Sequence, residues 1–461
     1  MGFTIVNFGY LALAWRQSKK KTPLILFLYG SSALLGVMMM TRSYEVVRVV
    51  TVLTILVVNI IISAWQREKK IESRLIDMAV TVFLTIINTG KVLIEEVSGV
   101  IGQEKVKNEK KWIKILSGVA LSVPMVLVFL LFFSQSDPIF YKLLTDIKWP
   151  KIETGLIVDV GLSIFFGGMV AAMIGAKTKK GWRIRNYFEK IEGLEVAVVI
   201  LQGLFVIFSV VQLRYFLVSG DELKAMGINF SDYTRRGYGE MLFTCFLAMG
   251  VMWMIGEMKG FEKRKGLVKL YATEIWLFVA TATRRNYFYQ ANNGFTRVRL
   301  WGFGLSLLIT AMVIVLLVKI VKEKGEVFWA KGVLVLIVSF ILVLNLANID
   351  GLIAKRPAKI NGKIDYNYLT GMSSDAWPIW EKMLTENEAK EEEEDNLEAV
   401  IVNHWFLWKK DRLEKQASAN WQNWGSWNKS AVKALEFLRE NEGRLKENQK
   451  LIEEGVVERG Y

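Results

Sequence analysis

Apolar residues recur along the chain in runs of about 15 to 24, separated by short stretches rich in Lys and Arg. An α-helix rises about 1.5 Å per residue, so a run of roughly 20 apolar residues matches the ~30 Å hydrocarbon core of a bilayer. We therefore predict an all-α polytopic membrane protein. It would have about ten transmembrane helices, near 1–15, 23–41, 46–65, 112–134, 155–175, 194–217, 239–256, 267–283, 300–319 and 327–347.

Two segments depart from this pattern. The first run is short and leads into Arg16 and Lys19 without a small-residue cleavage site, so we interpret it as a retained helix rather than a cleaved signal peptide. The stretch 71–111 is apolar on one helical face only, because charged residues such as Asp77 and Lys91 interrupt it. We predict that this stretch is interfacial or re-entrant.

Loop charge predicts the orientation of the helices, because short loops rich in Lys and Arg stay in the cytoplasm. Five alternate loops carry three to six such residues each: 16–22, 66–74, 176–193, 257–266 and 319–326. The intervening loops carry fewer, or balance them with acids. With ten helices, this alternation predicts a multi-pass protein of the cell membrane with both termini extracytoplasmic.

One predicted outer segment does not follow this rule. The stretch "TRRNYFYQANNGFTRVRLWG" (283–302) contains Arg284, Arg285, Arg297 and Arg299 and no acidic residue. Its Asn-Asn-Gly sequence is typical of a turn between two helices. Because charge beside lipid is costly, we expect acids from elsewhere in the chain to hold these arginines.

The last part of the chain differs in composition from the rest. From Asp350 onward there are 17 Lys and Arg against 21 Asp and Glu, whereas the whole chain has a net charge of +14. The basic excess therefore belongs to the predicted cytoplasmic loops, and it gives no reason to expect nucleic acid as a partner. We predict two domains: a helix bundle (1–347), and a small, Trp-rich α-helical domain (348–461) that lies outside the cytoplasm and caps the bundle.

Two acids fall inside predicted spans. Asp159 shares a helix face with Gly155 and Ser163 in steps of four, a spacing that lets another helix approach closely. It is either part of a packing stripe or a carboxylate held between helices as a proton or cation site. Glu274 lies about 10 Å into its span; it either has a function or forms a structural ion pair, with Lys91 as a candidate partner.

The remaining candidates collect at the predicted outer ends of the helices and in the tail. They are Asp232, Arg235, Arg236, Glu240, Arg285, Tyr289, Arg299, Asp350, Asp365 and Asp375. This layer has three interpretations. The arginines could pair with the acids and hold the tail domain down; they could bind an anion such as a lipid phosphate or a carboxylate; or Asp232 and Glu240 could act as acid and base in a membrane-surface enzyme.

Several chemistries are excluded or unsupported. The chain has one cysteine, Cys245, and one histidine, His404, so it can form neither an internal disulfide nor a Cys/His zinc site. No nucleophile–base pair or Gly-rich phosphate loop accompanies the acids. We predict no metal and no cofactor.

Five stretches in order resemble the signature segments of a known family. They are "SDYTRRGYGE" (231–240), "RRNYFYQANNGFTRVRLWG" (284–302), "NIDGLIAKRP" (348–357), "DYNYLTGMSSDAWP" (365–378) and "WQNWGSWNKSAVKAL" (421–435). They resemble the 4153/4173 group of bacterial polytopic membrane proteins, which are catalogued as domains of unknown function. Departures such as Asn286 for a usual Met and Ile349 for a usual Pro concern local turn geometry. The resemblance implies a fold and a membrane location, and no established activity.

All five stretches fall on the outer side of the predicted topology, so we expect them to meet in one outer assembly. Our first functional hypothesis is an envelope binding, assembly or sensing protein with an Arg/carboxylate pocket. The alternatives are a transporter or flippase-like protein that uses Asp159 and Glu274, and an outer-leaflet enzyme. The expected partners are the lipid bilayer, an anionic lipid or other envelope ligand, and a membrane or signalling protein that relays the output.

Overall fold

The structure is a computed structural model, and it describes residues 2–17, 22–67, 110–146, 193–217, 237–258, 264–360, 363–390, 397–417, 428–447 and 449–450. Three sets of predictions lie outside these residues: nearly all of the segment 71–111, the span 155–175 with Asp159, and the charged residues Asp232, Arg235 and Arg236. The described residues are almost entirely helical.

Within the described residues, ten helices precede the tail. They are α1 (Gly2–Gln17), α2 (Pro23–Met38), α3 (Glu45–Arg67), α4 (Lys110–Ser136), α5 (Pro138–Asp146), α6 (Leu194–Leu217), α7 (Tyr238–Glu257), α8 (Lys265–Asn293), α9 (Arg297–Val321) and α10 (Glu326–Ala347). The tail contains α11 (Ile349–Lys355), the strands β1 (Lys359–Ile360) and β2 (Lys363–Ile364), α12 (Tyr366–Thr370), a 3₁₀ helix (Ser374–Ile379), α13 (Trp380–Lys390), α14 (Leu397–Ala417) and α15 (Lys429–Glu440). The two short strands pair as an antiparallel hairpin.

Six of the described helices are long and apolar enough to cross a membrane. These candidate spans are Glu45–Ser63, Lys114–Ser136, Leu194–Leu213, Tyr238–Glu257, Arg297–Val321 and Glu326–Ala347; Pro23–Met38 is apolar but shorter. Many of their large apolar side chains are exposed, Val206, Ile207 and Val210 among them, which is the surface that lipid requires. The described part of the chain is therefore that of an almost entirely helical membrane protein.

Nine of the ten predicted runs coincide in position with helices, namely α1 to α4 and α6 to α10. The apolar run predicted at 267–283 belongs to a longer helix, since α8 spans 29 residues and continues to Asn293. Arg284 and Arg285 therefore lie within a helix rather than in a loop. Hydropathy does not detect this extension, because the last turns of α8 are polar although they remain helical.

The chain divides into two compact units, which we describe separately. Unit 1 comprises Met1–Lys69, Gln290–Gly304 and Leu334–Tyr461; unit 2 comprises Lys70–Tyr289 and Leu305–Val333. The helices α8, α9 and α10 each contribute residues to both units.

Unit 1 joins the first three helices and the tail through buried apolar residues. One cluster extends from Leu35 and Ile55 in α2 and α3 to Trp380 and Phe406 in the tail. A polar network crosses α1, α2 and α3: Asn59 Nδ2 donates to Asn7 Oδ1 (2.8 Å), and Ser32 Oγ donates to Asn59 Oδ1 (3.0 Å). Polar groups of this kind stabilise helix contacts within a membrane.

Unit 2 has an aromatic core. Phe133 of α4 stacks on Phe208 of α6 with ring centroids 3.7 Å apart, and Phe205 and Phe278 meet these rings at steeper angles. Gly237, just before α7, has φ +77°, and a Cβ there would lie 2.0 Å from the carbonyl oxygen of Ser136. Only glycine fits this close approach, which explains why the stretch 231–240 has a glycine at position 237.

Candidate functional site

The buried carboxylate of Asp350 is the centre of a polar cluster in unit 1. Arg297 binds it through two parallel hydrogen bonds, from Nε to Oδ1 (2.7 Å) and from Nη2 to Oδ2 (2.6 Å). The side chain of Asp350 is fully buried, whereas that of Arg297 is 23% exposed. This bidentate geometry is the strongest arrangement of the two groups and fixes their orientation.

Ser373 and Asp375 extend the cluster toward α3. The Ser373 amide (2.9 Å) and hydroxyl (2.6 Å) both donate to Asp350 Oδ2, so the carboxylate of Asp350 accepts four hydrogen bonds in all. Asp375 Oδ2 accepts from the amides of Ser43 (2.8 Å) and Tyr44 (3.0 Å), immediately before α3. The two acids therefore tie the segment 373–375 to the first residues of two candidate spans, α9 and α3.

Two tyrosines lie beside Arg297. The guanidinium of Arg297 lies 4.4 Å from the ring centroid of Tyr44, and the Arg297 amide donates to the hydroxyl oxygen of Tyr368 (2.7 Å). Tyr368 thus satisfies an amide in the first turn of α9 that has no partner within the helix. Burial raises the pKa of both Tyr44 and Tyr368, while Arg297 opposes the rise, so both phenols remain neutral at pH 7.

The segment 428–430 of the tail bonds to the loop between α2 and α3. Three contacts run to carbonyl oxygens of that loop: Asn428 Nδ2 to Arg42, Ser430 Oγ to Thr41 (2.7 Å) and the Lys429 amide to Met40 (2.9 Å). Arg42 in turn donates from Nε to the carbonyl of Asn345 at the end of α10 (2.6 Å). Burial lowers the pKa of Arg42, and Asp375 opposes this shift.

Local backbone geometry explains why two of the stretches have their particular sequences. Asn348 has φ +49°, a conformation that Asn tolerates. Its side chain accepts a hydrogen bond from the Gly351 amide and so caps the start of α11, with Asp350 in the first turn of that helix. Gly294 ends the turn after α8 with φ +73°, and the Phe295 amide then donates to the carbonyl of Arg356 (2.9 Å). The stretches 284–302 and 348–357 therefore meet through their main chains.

Arg285 has a different environment, in unit 2. Its side chain is 2% exposed; Nη2 donates to Asp137 Oδ2 (2.6 Å) and Gln212 Oε1 (3.1 Å), and Nη1 donates to the Ser136 carbonyl (2.8 Å). Gln212 also donates to Asp137 Oδ2 (2.8 Å). Asp137 lies at the break between α4 and α5, where its Oδ1 caps the Phe140 amide. A buried pair with several hydrogen bonds of this kind is typical of a structural element.

Glu274 lies about 16 Å from Arg285 along α8, beyond the Phe133–Phe208 stack. It is 3% exposed, and Gln202 Nε2 of α6 donates to both of its carboxyl oxygens at 2.8 Å. The Gln202 Oε1 atom is buried without a partner in the described part of the chain. The possible partner Lys91 lies outside the described residues.

The other predicted residues occupy separate places. Glu240 is half-buried in the first turn of α7. Tyr289 and Arg299 are half-buried, and each takes part in further interactions. Asp365 caps α12 by accepting from the Tyr368 amide (2.9 Å). Among the predicted residues that the structure describes, Asp350 and Asp375 share a neighbour, Ser373.

Sequence reasoning missed the main partners of these groups. Arg297 was recognised as an outer arginine but not as a site residue, and Ser373 only as part of the stretch 365–378. Asp137, Gln212 and Tyr44 were not considered as site residues. The Asp-Pro sequence at Asp137 was the available signal, because it predicts a helix break with a carboxylate beside it. Within the described ranges, no three His, Cys, Asp or Glu side chains are placed to share a metal ion.

Comparison with known proteins identifies a family for this chain but no activity. No curated protein and no solved structure matches the chain. A family model described as "Domain of unknown function (DUF4153)" matches residues 29–383, which include most of the helix bundle and the Arg297–Asp350 cluster. Because this match covers well over half of the chain, the protein belongs to the DUF4153 family.

Proposed function

We propose that this protein is a binding and assembly, or sensing, protein of the bacterial cell envelope. Its tail (348–461) is the extracytoplasmic, ligand-facing domain, and about ten transmembrane helices anchor it with both termini outside. Asp159 and Glu274 are not required for binding under this proposal. The membrane or signalling partner that relays the output is unidentified.

The observation that carries this proposal is the buried Asp350 carboxylate, which is shared by Arg297 and Ser373. Arg297 is the first residue of the candidate span α9, and Ser373 belongs to the tail. Breaking a bidentate pair with a buried carboxylate costs roughly 2–4 kcal/mol. The tail is therefore held in a fixed orientation at the helix ends, as a receptor surface requires. Loop charge supports the extracytoplasmic side, because α3 and α9 both begin opposite the Lys- and Arg-rich loops.

The test uses single cysteines in a Cys245→Ala background. His404 is exposed on α14, and Lys324 is exposed in the predicted cytoplasmic loop between α9 and α10. In intact cells we expect a membrane-impermeant maleimide to label His404→Cys and not Lys324→Cys. A benzophenone maleimide at position 404 should then form a discrete adduct with an envelope component. Adding Arg297→Ala should lower the adduct yield about tenfold or more, because the tail loses its fixed orientation.

The matched control is Arg439→Ala, which removes an exposed tail arginine whose ion pair with Glu414 is worth ~0–1 kcal/mol. It should leave the adduct unchanged. Labelling of Lys324→Cys in place of His404→Cys would overturn the topology. An adduct that survives Arg297→Ala would overturn the role of the cluster in binding.

One observation favours a transporter as the second candidate, namely the buried Glu274 with Gln202 as its neighbour. An ionisable group at this depth is a common feature of proton and cation paths. The binding proposal and the transport proposal differ in what they expect of Glu274→Gln.

Under the binding proposal, Glu274→Gln should keep the stability of the protein within about 1 kcal/mol, because an amide can still pair with Gln202 without burying a charge. Gln202→Leu is the comparison variant; it should be less stable, since it leaves the Glu274 carboxyl without its described partner. Stability is measured by unfolding in mixed micelles. Reconstituted wild-type vesicles should show no proton flux with a pH-sensitive dye. A wild-type flux that Glu274→Gln abolishes would favour transport.

A further inference from the structure

Helix α14 of the tail has two different faces. One packs into unit 1 through Val402, Phe406 and Leu413, which are almost fully buried. Beside this face, Trp405, Trp408, Lys409 and Arg412 share an arc of about 100°, and between Trp405 and Arg412 no acidic residue falls within that arc. We call these four residues the α14 face.

The α14 face consists of two parallel aromatic–cation pairs, each with a spacing of four residues. Lys409 Nζ lies 5.8 Å from the ring centroid of Trp405, and the Arg412 guanidinium lies 5.2 Å from that of Trp408. Trp408 is 48% exposed and Arg412 is exposed. A tryptophan that is half exposed while its neighbours on the inner face form the core is not needed for packing within the tail.

The α14 face lies beside the first residues of two candidate spans. Lys409 interacts electrostatically with Glu45, which begins α3, and with Arg297, which begins α9. Burial lowers the pKa of Lys409 most, and Arg412 lowers it further. The carboxylates of Asp350 and Glu45 oppose this shift, and Asp350 also accepts hydrogen bonds from Arg297 and Ser373. Lys409 is therefore close to the first residues of two candidate spans, where the carboxylates of Glu45 and Asp350 balance part of the charge of the α14 face.

We propose that the α14 face binds the headgroups of anionic phospholipids. Trp and cationic side chains at the ends of spans are the pattern of membrane-interface segments, in which indole rings enter the headgroup region while Lys and Arg contact phosphates. Charge complementarity and the nearness of two span ends identify lipid as the occupant rather than a soluble partner. The inference rests on that part of the proposed function in which the tail lies at the membrane surface.

The test uses full-length protein in nanodiscs of phosphatidylcholine alone or mixed with phosphatidylglycerol. We expect phosphatidylglycerol to slow hydrogen exchange in 397–417 and to raise the melting temperature. Each Lys or Arg near an anionic surface strengthens binding by about fivefold, so Lys409→Gln with Arg412→Gln should weaken retention of phosphatidylglycerol, measured by native mass spectrometry, roughly 30-fold. Arg412→Gln alone should weaken retention of phosphatidylglycerol about fivefold. Because Arg412 is exposed, this single variant keeps the test valid if the double variant folds poorly.

The matched control is Lys433→Gln with Arg439→Gln on α15. It removes the same charge, and Lys433 also lies over an indole ring, that of Trp377, at 5.8 Å. The control should keep the response to phosphatidylglycerol. An equal loss in both double variants, or a response to inorganic phosphate alone, would overturn the inference. Nanodiscs expose both membrane faces, so the binding of phosphatidylglycerol is measured whichever side the tail occupies. If the labelling experiment places the tail on the cytoplasmic side, the proposed function is overturned but the lipid-binding result stands.

Discussion

Arg285→Ala is expected to destabilise unit 2 by about 3–5 kcal/mol, because it leaves the carboxylate of Asp137 buried without its cation. Asp137 is fully buried, and the arginine supplies one of its two hydrogen bonds at Oδ2. Asp137→Ala should cost a similar amount, since it leaves the guanidinium uncompensated. Unfolding in mixed micelles, followed by circular dichroism, measures the loss.

Arg284→Ala is the matched control. The neighbouring arginine is half-buried and its guanidinium lies over the ring of Phe288 at 4.8 Å, so we expect a loss of ~1 kcal/mol or less. The double variant Arg285→Met with Asp137→Leu should recover most of the stability, because apolar residues of similar volume can replace a buried pair. Equal losses for the two single arginine variants, or no recovery in the double variant, would show that the Asp137–Arg285 pair is not the cause.

The environments of Arg285 and Arg297 show which features of the site could be predicted from the sequence. Both were expected to be held by acids, because charge beside lipid requires a partner. Their partners, Asp137 and Asp350, are 148 and 53 residues away. The Asp-Pro sequence marks Asp137 as an acid at a helix break, but no local pattern pairs either acid with its arginine. Which acid meets which arginine depends on how the helices pack, and a single sequence does not reveal it.

Features that depend on neighbouring residues were easier to predict. Apolar runs gave the positions of most described helices, because helix length must match the bilayer. The Asn-Asn-Gly sequence marks the end of α8, as turn chemistry predicts, although both asparagines are still helical and Gly294 begins the link to α9. By contrast, the network of Asn7, Ser32 and Asn59 was missed, because an uncharged polar residue inside an apolar run hardly changes the mean hydropathy.

Gly294→Ala is the second substitution with a large expected effect. The residue has φ +73°, where a Cβ adds strain of about 1–2 kcal/mol. The added Cβ would also lie 2.0 Å from the carbonyl oxygen of Pro357, a backbone atom that cannot rotate away. Overpacking of this kind costs a further ~1–3 kcal/mol. We expect a total loss of roughly 2–5 kcal/mol, with faster hydrogen exchange in the β1–β2 hairpin and the first turn of α9.

Gly30→Ala in α2 is the control, because nothing lies within 4 Å of its Cβ position and alanine favours a helix by ~0.5–1 kcal/mol. It should leave unit 1 as stable as before or slightly more so. Gly294→Asn separates the two causes of damage. Asn tolerates positive φ better than alanine does, but its Cβ meets the same Pro357 oxygen. If Gly294→Asn is nearly as harmful as Gly294→Ala, the close approach of the two main chains dominates. If it is nearly harmless, the turn conformation alone requires glycine, and the contact between 294 and 357 does not help to fix the tail on the helix ends.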